Sequence, residues 1–248
     1  GIGIFKSDDA GATWSHMGLE DTRHISRIMI HHSNPDIVYV GTVGHLWGAN
    51  ETRGVFRTTD GGETWDKVLY VDEDTGVIDL VMDHTDPNTL FAATYQRRRT
   101  GFGFAAGGGG SGIWRTTDGG DTWTRLGGGL PNTEMGRIGL DVYRRDGNLV
   151  YAVVEAEEGS GVYRSEDRGE TWELMSTRNP RPMYFSLIRI DPNNPERIYL
   201  GGTQASASDD GGRTWWPGNA TENIHSDHHS MWINPDNSNH LINGMTAV

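Results

Sequence analysis

The sequence contains no cysteine in its 248 residues. That absence excludes disulfide bonds, thiol catalysis and cysteine-ligated zinc, although it does not decide the compartment. No stretch approaches the roughly 18 consecutive apolar residues of a membrane-spanning helix, so we expect no membrane insertion. The chain begins with Gly1, and no leader-like segment follows it. We therefore expect a processed product or an excerpt of a longer polypeptide.

Positive charge is scarce as well. The 21 Lys and Arg residues face 34 Asp and Glu residues, which gives a formal net charge of -13. A field of this sign repels a phosphate backbone, so we expect no nucleic-acid partner. Glycine is abundant instead, at 35 residues, and nine tryptophans accompany it. Many turn-forming residues together with many large aromatics are typical of a fold made of short strands.

One octet, Ser/Thr-x-Asp-x-Gly-x-Thr-Trp, occurs five times, at residues 7–14, 58–65, 116–123, 165–172 and 208–215. It predicts a hairpin turn, because the Asp can accept hydrogen bonds from nearby backbone N–H groups and the Gly permits a positive φ. The Trp ring can be buried between neighbouring sheets. We predict a structural role, not a catalytic one, for these side chains. They are Asp9, Gly11, Trp14, Asp60, Gly62, Trp65, Asp118, Gly120, Trp123, Asp167, Gly169, Trp172, Asp210, Gly212 and Trp215.

The segments around each octet repeat too. An alternating run such as residues 27–30 precedes a turn and a second apolar strand such as residues 37–40. A third strand, such as residues 54–57, leads into the octet, and a fourth follows it. Four antiparallel strands in each repeat of about 40 to 58 residues predict a β-propeller blade. The sequence therefore predicts an all-β propeller without helices.

The repeats predict a single propeller region over residues 1–248 with about five blades' worth of strands. It comprises a half-blade at 1–17, blades near 24–69, 76–127, 135–176 and 184–217, and a half-blade at 224–248. The two half-blades could pair and close a five-bladed ring. Alternatively, the chain is a window from a larger propeller, with further blades of the same polypeptide as its neighbours. We favour the window, because the missing Met and leader already suggest an excerpt.

The octets are similar to Asp-boxes, the bacterial neuraminidase repeat found in sialidases, in xyloglucan-hydrolysing tandem propellers and in sortilin-type propellers. The chain resembles, over its whole length, large secreted bacterial proteins described as sortilin-like or glycosyl hydrolase-like. The stretches that carry this likeness are residues 44–48, 95–99, 191–195 and 225–232. The resemblance implies an Asp-box propeller and an extracytoplasmic location, which is periplasmic, cell-surface or secreted. It implies little about chemistry, because such propellers include both enzymes and binding modules.

In the resembling propellers, the octet turn joins strands three and four on one face, and ligands approach the opposite face. The five octets hold 11 acidic and 2 basic side chains, so they account for -9 of the net -13. The opposite face is therefore expected to be closer to neutral, and its loops supply the candidate ligand-binding residues. These are His45, Trp47, Arg97, Arg98, Arg99, Phe102, Phe104, Glu155, Tyr184, His225, Asp227 and His228.

Residues 95–112 are expected to form the longest loop of that face, with the glycines at 107–110 as its flexible tip. The three consecutive arginines could clamp a carboxylate or a phosphate. The alternative is a solvated basic edge paired with neighbouring acidic loops. We predict that the loop contacts an anionic glycan or an acidic protein surface, with Phe102 and Phe104 as apolar anchors. In the contrary case, both rings are buried within the propeller.

The segment from His225 to His229 offers imidazole and carboxylate groups, which are good zinc ligands. Residues 225, 227 and 229 would share one side of a strand, by its period of two. We favour a hydrogen-bonded entry to an inner strand instead, so we predict no metal and no cofactor.

These features favour a secreted or periplasmic binding and scaffolding module that recognises a protein or glycan through the face opposite the octets. The alternative is a sialidase- or xyloglucanase-like glycoside hydrolase, which needs two carboxylates about 5 to 9.5 Å apart near the central channel. The sequence does not select two from its many candidates, so it leaves open whether the chain is an enzyme. A third hypothesis is a metal-dependent hydrolase at the histidine cluster.

Overall fold

A computed structural model of the chain describes residues 1–217 and 225–245. In this part of the chain the regular structure is 21 β-strands and one 3-10 turn, Glu20–Thr22, so the prediction of an all-β fold of four-stranded antiparallel sheets is confirmed. Among the described residues, no helix has the length and apolar character needed to cross a bilayer. The chain forms two compact units, Gly1–Met82 with Pro87–Thr124, and Asp83–Asp86 with Arg125–Val248.

The first unit begins with a two-stranded sheet of β1 (Phe5–Lys6) and β2 (Ser15–His16). A four-stranded sheet follows, with β3 (Ile25–Ile30), β4 (Val38–Thr42), β5 (Gly54–Thr58) and β6 (Asp66–Leu69) in that order. The next strands are β7 (Thr75–Met82), β8 (Leu90–Thr100), β9 (Gly103–Ala106), β10 (Gly112–Thr116) and β11 (Thr124–Arg125). Their sheet has the order β7-β8-β10-β11, and β9 pairs with the extended end of β8.

The second unit holds two more four-stranded sheets. One consists of β12 (Met135–Val142), β13 (Val150–Ala156), β14 (Gly161–Ser165) and β15 (Glu173–Ser176). The other consists of β16 (Ile188–Asp191), β17 (Asn194–Leu200), β18 (Ser206–Ser208) and β19 (Trp216–Pro217). The last sheet pairs β20 (His228–Asn234) with β21 (Asn237–Met245). Of the predicted half-blade 224–248, residues 224 and 246–248 lie outside the described residues, and the blade boundaries stay predictions.

The core of each unit lies between neighbouring sheets. In the first unit, Val55 and Leu69 of one sheet pack with Val77, Leu80 and Leu90 of the next, and all five are buried. A corresponding cluster in the second unit joins the sheet that starts with β12 to the sheet that starts with β16. Burial of each such side chain stabilises the fold by about 1.5–3 kcal/mol, so the packing of sheet against sheet is the main stabilising term.

Each octet forms the tight turn between the last two strands of its sheet, for example between β5 and β6. Asp60 Oδ1 accepts hydrogen bonds from the Thr64 N–H (2.9 Å) and the Thr58 hydroxyl (2.6 Å). The Thr58 hydroxyl in turn accepts the N–H of Gly62 (2.9 Å), whose φ is 102°. The other four octets repeat the Asp-to-Thr bonds and the positive φ at glycine. The carboxylate therefore closes the turn.

The octet tryptophans differ in how far they are covered. Trp172 is buried and three others are half-buried, but Trp14 is 63% exposed. The indole N–H of Trp65 bonds to Met17 O, and that of Trp215 bonds to Ser176 Oγ. Each of these two rings therefore contacts the segment that precedes its own sheet in the sequence. The expected burial is wrong for Trp14, whose N–H bonds to Gly11 O of the same turn.

Candidate functional site

The segment predicted as a long loop at residues 95–112 is mostly a β-hairpin. Strand β8 continues to Thr100, and β9 returns alongside it over Gly103–Ala106. On its other side, β8 finds two distant carbonyl acceptors: the Arg97 N–H bonds to Asp74 O (3.0 Å), and the Arg99 N–H bonds to Leu46 O (2.6 Å). Strand partners on both sides stabilise an extended chain whose own residues lack apolar alternation. We call residues 97–106 the insert hairpin.

The glycine run is not the tip of this segment, which corrects the prediction. The tip lies between Thr100 and Gly103, while Gly107 and Gly110 lie at the base, where both N–H groups bond to Gln96. A Cβ placed on Gly110 would lie 2.0 Å from Thr75 Oγ1. These glycines therefore permit close packing at the base of the hairpin rather than flexibility at its end.

Strand alternation separates the three arginines. Arg97 and Arg99 lie on one face of the insert hairpin, and Arg98 lies on the other, where its guanidinium is 3.4 Å from the Asp74 carboxylate. The Arg97 guanidinium donates to the hydroxyl of Tyr95 (2.9 Å) and lies 5.0 Å from the centroid of Phe104. Only two of the three arginines therefore share a face, and Arg98 follows the alternative of pairing with an acidic loop.

Arg99 lies directly opposite Phe104 in the register of the hairpin. Its guanidinium makes no hydrogen bond or ion pair with any residue in the described part of the chain. Phe102 is fully exposed at the tip, and Phe104 is 47% exposed, so these rings are not buried as the alternative required. Exposed aromatic rings beside an arginine with no partner are typical of an interaction surface.

The loop between β4 and β5 borders the same hairpin through the bond from Arg99 to Leu46. It presents Trp47, which is 68% exposed. We call Trp47, Arg97, Arg99, Phe102 and Phe104 the insert surface. The hairpin and the octet at 116–123 are attached to opposite ends of β10, so the insert surface belongs to the end of this sheet away from its octet.

The loop that carries Trp47 is supported by hydrogen bonds from the side chain of Arg53, which is completely buried. Its Nη2 donates to His45 O (2.6 Å) and, more weakly, to Gly48 O (3.4 Å). Burial lowers the pKa of the Arg53 guanidinium, and the carboxylates of Asp74 and Asp72 oppose that shift. The sequence gives no sign of this supporting role, because the position of Arg53 just before a strand carries no signal of burial.

His45 is half-buried and has a structural contact, since its Nε2 lies 2.7 Å from Asp21 O. Glu155 of the second unit behaves similarly: its Oε2 accepts the N–H of Arg137 (2.8 Å) beside an irregularity in the pairing of β12. In both of these candidates, the polar group of the side chain already contacts another part of the protein.

Tyr184 lies in an aromatic group of the second unit. Its ring is 46% exposed and lies 5.2 Å from Phe185 and 5.6 Å from His229, measured between centroids. The Arg181 guanidinium is 4.7 Å from the centroid of the Tyr184 ring. This group is a second exposed aromatic and basic cluster, of which only the tyrosine is among the candidate residues predicted from the sequence.

The histidine segment does not place residues 225, 227 and 229 on one side of a strand, so that expectation is wrong. Strand β20 begins only at His228, and Asp227 has a φ of 71°, which turns the chain just before it. His228 is buried, with Nδ1 2.7 Å from Asn243 Nδ2, whereas His225 and His229 are exposed. Within residues 1–217 and 225–245, no three His, Cys, Asp or Glu side chains are grouped so that they could hold a metal ion.

Comparison with known proteins places the chain among propellers. A curated relative, the vacuolar protein sorting/targeting protein 10 of Sordaria macrospora, is 34% identical over 89 residues, 35% of this chain and 5% of that protein. Among solved structures, an ancestral GH74 enzyme gives a TM-score of 0.70 at 17% identity, covering 96% of this chain and 31% of the enzyme. A structure of YCF48 bound to D1 peptide gives 0.51 at 15% identity, covering 88% of this chain and 65% of that one.

The chain thus spans only a small part of the length of the curated relatives that it matches. A second such relative, from Kluyveromyces lactis, is fungal like the first. The predicted likeness to sortilin-type propellers is confirmed, whereas a bacterial origin gains no support. The family model described as sortilin, neurotensin receptor 3, matches residues 3–161 of the 248. The location of the relatives in the secretory pathway fits an extracytoplasmic location. The chain belongs to the Sortilin-Vps10 family, which is a family of Asp-box propellers.

Proposed function

We propose that this chain is a binding module that docks a partner protein on the insert surface. The observation that carries the proposal is the position of Arg99 directly opposite the exposed Phe104 in the register of the hairpin, because the Arg99 guanidinium has no partner among the described residues. Arginine and aromatic side chains dominate the binding energy of protein interfaces. The hairpin is fixed at Asp74 and Leu46, so the surface needs little reorganisation on binding.

Charge favours an acidic partner. The chain as a whole carries -13, and its octets account for -9. Against that background, Arg97 and Arg99 form a local positive group on one side of the hairpin, while Arg98 is neutralised by Asp74 on the other. A local contrast of this kind steers an acidic surface towards the hairpin and away from the octet turns.

The relatives support a protein ligand over a glycan. One solved neighbour is YCF48 in complex with a peptide, and the curated relatives are named for protein sorting and targeting. We infer that this chain likewise recognises a polypeptide. The family fits an extracytoplasmic location and lends no support to a bacterial periplasm.

No observation favours hydrolysis over binding. The GH74 neighbour shares the fold at 17% identity, which does not carry its chemistry over. Three carboxylates already have contacts within the chain: Asp74 pairs with Arg98, Asp72 accepts the N–H of Asp74, and Glu155 accepts a backbone N–H. These contacts give each of the three a structural role.

The proposal is tested by titrating the chain into a fluorescein-labelled peptide in which glutamate and valine alternate, with fluorescence anisotropy as the readout. We expect binding that weakens with added salt and is lost in the double variant Arg97→Ala/Arg99→Ala. The matched control is Arg213→Ala in the last octet, which removes a positive charge far along the chain from the hairpin. Equal binding by the double variant would contradict the proposal. Hairpin-dependent binding of heparin without peptide binding would show that the ligand is a glycan.

A further inference from the structure

The outer edge of the insert hairpin is strand β9, whose far side is unpaired in the described part of the chain. Within residues 1–217 and 225–245, β9 pairs with β8 only, and its four residues, Gly103–Ala106, include no charged residue and no proline. Proteins usually protect exposed edges with charged residues, proline or bulges, because unpaired backbone groups there add further strands. Strand β9 has neither a charged residue nor a proline, and its pairing with β8 is regular over Arg97–Thr100, without a bulge.

The register shows which backbone groups of β9 point outward. The Gly107 N–H bonds to Gln96 O, so residues 96 and 107 face each other with their hydrogen-bonding groups. Hydrogen-bonded pairs alternate with non-hydrogen-bonded pairs along antiparallel strands, so residues 98 and 105 form the next hydrogen-bonded pair. The pairs 97 with 106 and 99 with 104 are non-hydrogen-bonded, so their backbone N–H and C=O groups point away from the partner strand. Two further bonds agree with this register. The N–H groups of Arg97 and Arg99 bond to Asp74 O and Leu46 O, which lie on the side of β8 away from β9.

Phe104 and Ala106 therefore direct their N–H and C=O groups away from β8, towards the open edge. In the described residues neither makes a backbone or side-chain hydrogen bond there. Two adjacent outward positions offer up to four backbone hydrogen bonds to an added strand, which is how extended peptides join sheet edges.

The side chains of the hairpin indicate the chemistry of the added strand. On one face, the Arg97 guanidinium already reaches across to the Phe104 ring, 5.0 Å from its centroid, so arginines of β8 extend over β9 towards its edge. Arg99 lies on that same face, opposite Phe104. An added strand would thus present every second side chain to two arginines. On the other face it would meet Ala105, with the Arg98 and Asp74 pair behind it.

Resting on the proposed binding function, we infer that the partner binds as an extended segment that adds to the Phe104–Ala106 edge of β9. Its acidic residues alternate with small or apolar ones, so that the carboxylates face Arg97 and Arg99. The main-chain bonds supply affinity without sequence preference, and the alternating carboxylates supply the selection.

The test removes one outward N–H without changing any charge. Ala106→Pro eliminates the Ala106 N–H, which no described residue accepts, and proline is tolerated on edge strands where that position faces solvent. We expect Ala106→Pro to bind the alternating glutamate–valine peptide about tenfold more weakly or worse, the effect of one lost hydrogen bond at an interface. The control, Ala106→Val, keeps the N–H and should bind as the unaltered chain does.

Two N-methylated versions of the peptide provide a second measurement that does not depend on the variant folding. One version is methylated on odd-numbered amides and the other on even-numbered amides. Strand addition predicts that one loses binding and the other keeps it, because alternate amides face β9. Equal binding of both versions, or no binding of the unmethylated peptide, would overturn the inference.

The outcomes separate this inference from the proposed function. If Arg97→Ala/Arg99→Ala abolishes peptide binding while Ala106→Pro does not, the insert surface binds its partner through side chains and strand addition is wrong. If neither change affects binding, both proposals are wrong. If the chain is a dimer that Ala106→Pro makes monomeric, a second copy occupies the edge, and the inference of an acidic segment fails.

Discussion

The carboxylate of Asp60 holds Thr64 with both of its oxygens. Oδ1 accepts the main-chain N–H at 2.9 Å, and Oδ2 accepts the hydroxyl at 2.6 Å. Both residues are exposed, so the turn is fixed by local hydrogen bonds rather than by burial. Because all partners lie within one octet, the same geometry recurs wherever the octet does.

The buried part of this turn should matter most for stability. Thr58 is 1% exposed, and its hydroxyl accepts the N–H of Gly62. Thr58→Val keeps the shape but leaves that N–H without an acceptor, so we expect it to lower the free energy of unfolding by about 1–3 kcal/mol. Urea denaturation measures the change. Thr59→Val, at the exposed neighbouring position, is the control, and equal stability of the two variants would contradict the role assigned to Thr58.

The octet carboxylates should affect stability and not binding. We expect Asp60→Ala and Asp118→Ala to lower the melting temperature, because each removes the acceptor of two bonds from a threonine. Binding of the glutamate–valine peptide should stay unchanged, since the insert surface lies at the other end of the sheet from the octet at 116–123. Unchanged melting together with lost binding would show that these turns belong to the binding site.

The same bonds predict a pH dependence of stability. The hydroxyl and N–H of Thr122 lower the pKa of Asp118 from 3.8 to about 2, and Thr214 lowers the pKa of Asp210 likewise to about 2. A pKa that is lower in the folded state contributes stability above pH 3.8, and this is lost as the pH falls towards 2. We expect Asp118→Asn to lower the melting temperature at neutral pH, with a difference that shrinks between pH 4 and pH 2. A constant difference would exclude this linkage.

How much the sequence predicts depends on how local the determining contacts are. The octet turns and the four-stranded sheets follow from contacts within one repeat, so residues such as Asp60 and Gly62 could be assigned from the sequence. The extension of β8 could not, because the Arg99 N–H bonds to Leu46 of the preceding repeat and the Arg97 N–H bonds to Asp74 in the connection before β7. An Arg-Arg-Arg-Thr run without apolar alternation gives no strand signal of its own.

The histidine segment shows a second kind of limit. A period-two argument requires a continuous strand, but Asp227 has a positive φ and β20 starts one residue later. His228 is buried against Asn243 for that reason, while His225 and His229 remain exposed. A single backbone angle thus separates side chains that the sequence places on one face.

Arg53 should control the loop that presents Trp47. Arg53→Met removes one of the two donors to His45 O and leaves that carbonyl with the Asn50 side-chain amide alone. We expect a loss of about 0.5–1.5 kcal/mol in the free energy of unfolding, and faster amide hydrogen exchange over residues 44–50. The control is Lys6→Met, which removes the same charge at an exposed position of β1, outside this loop. Unchanged exchange over residues 44–50 in Arg53→Met would contradict the supporting role of Arg53.

The partner should bind at the insert hairpin and not at the octet turns. Hydrogen–deuterium exchange of the full chain, with and without the glutamate–valine peptide, distinguishes these two locations. Binding at the hairpin predicts slower exchange of the Phe104 and Ala106 amides, with no change in the octets at 58–65 and 116–123. Protection confined to the octet turns, with Phe104 and Ala106 unaffected, would contradict it.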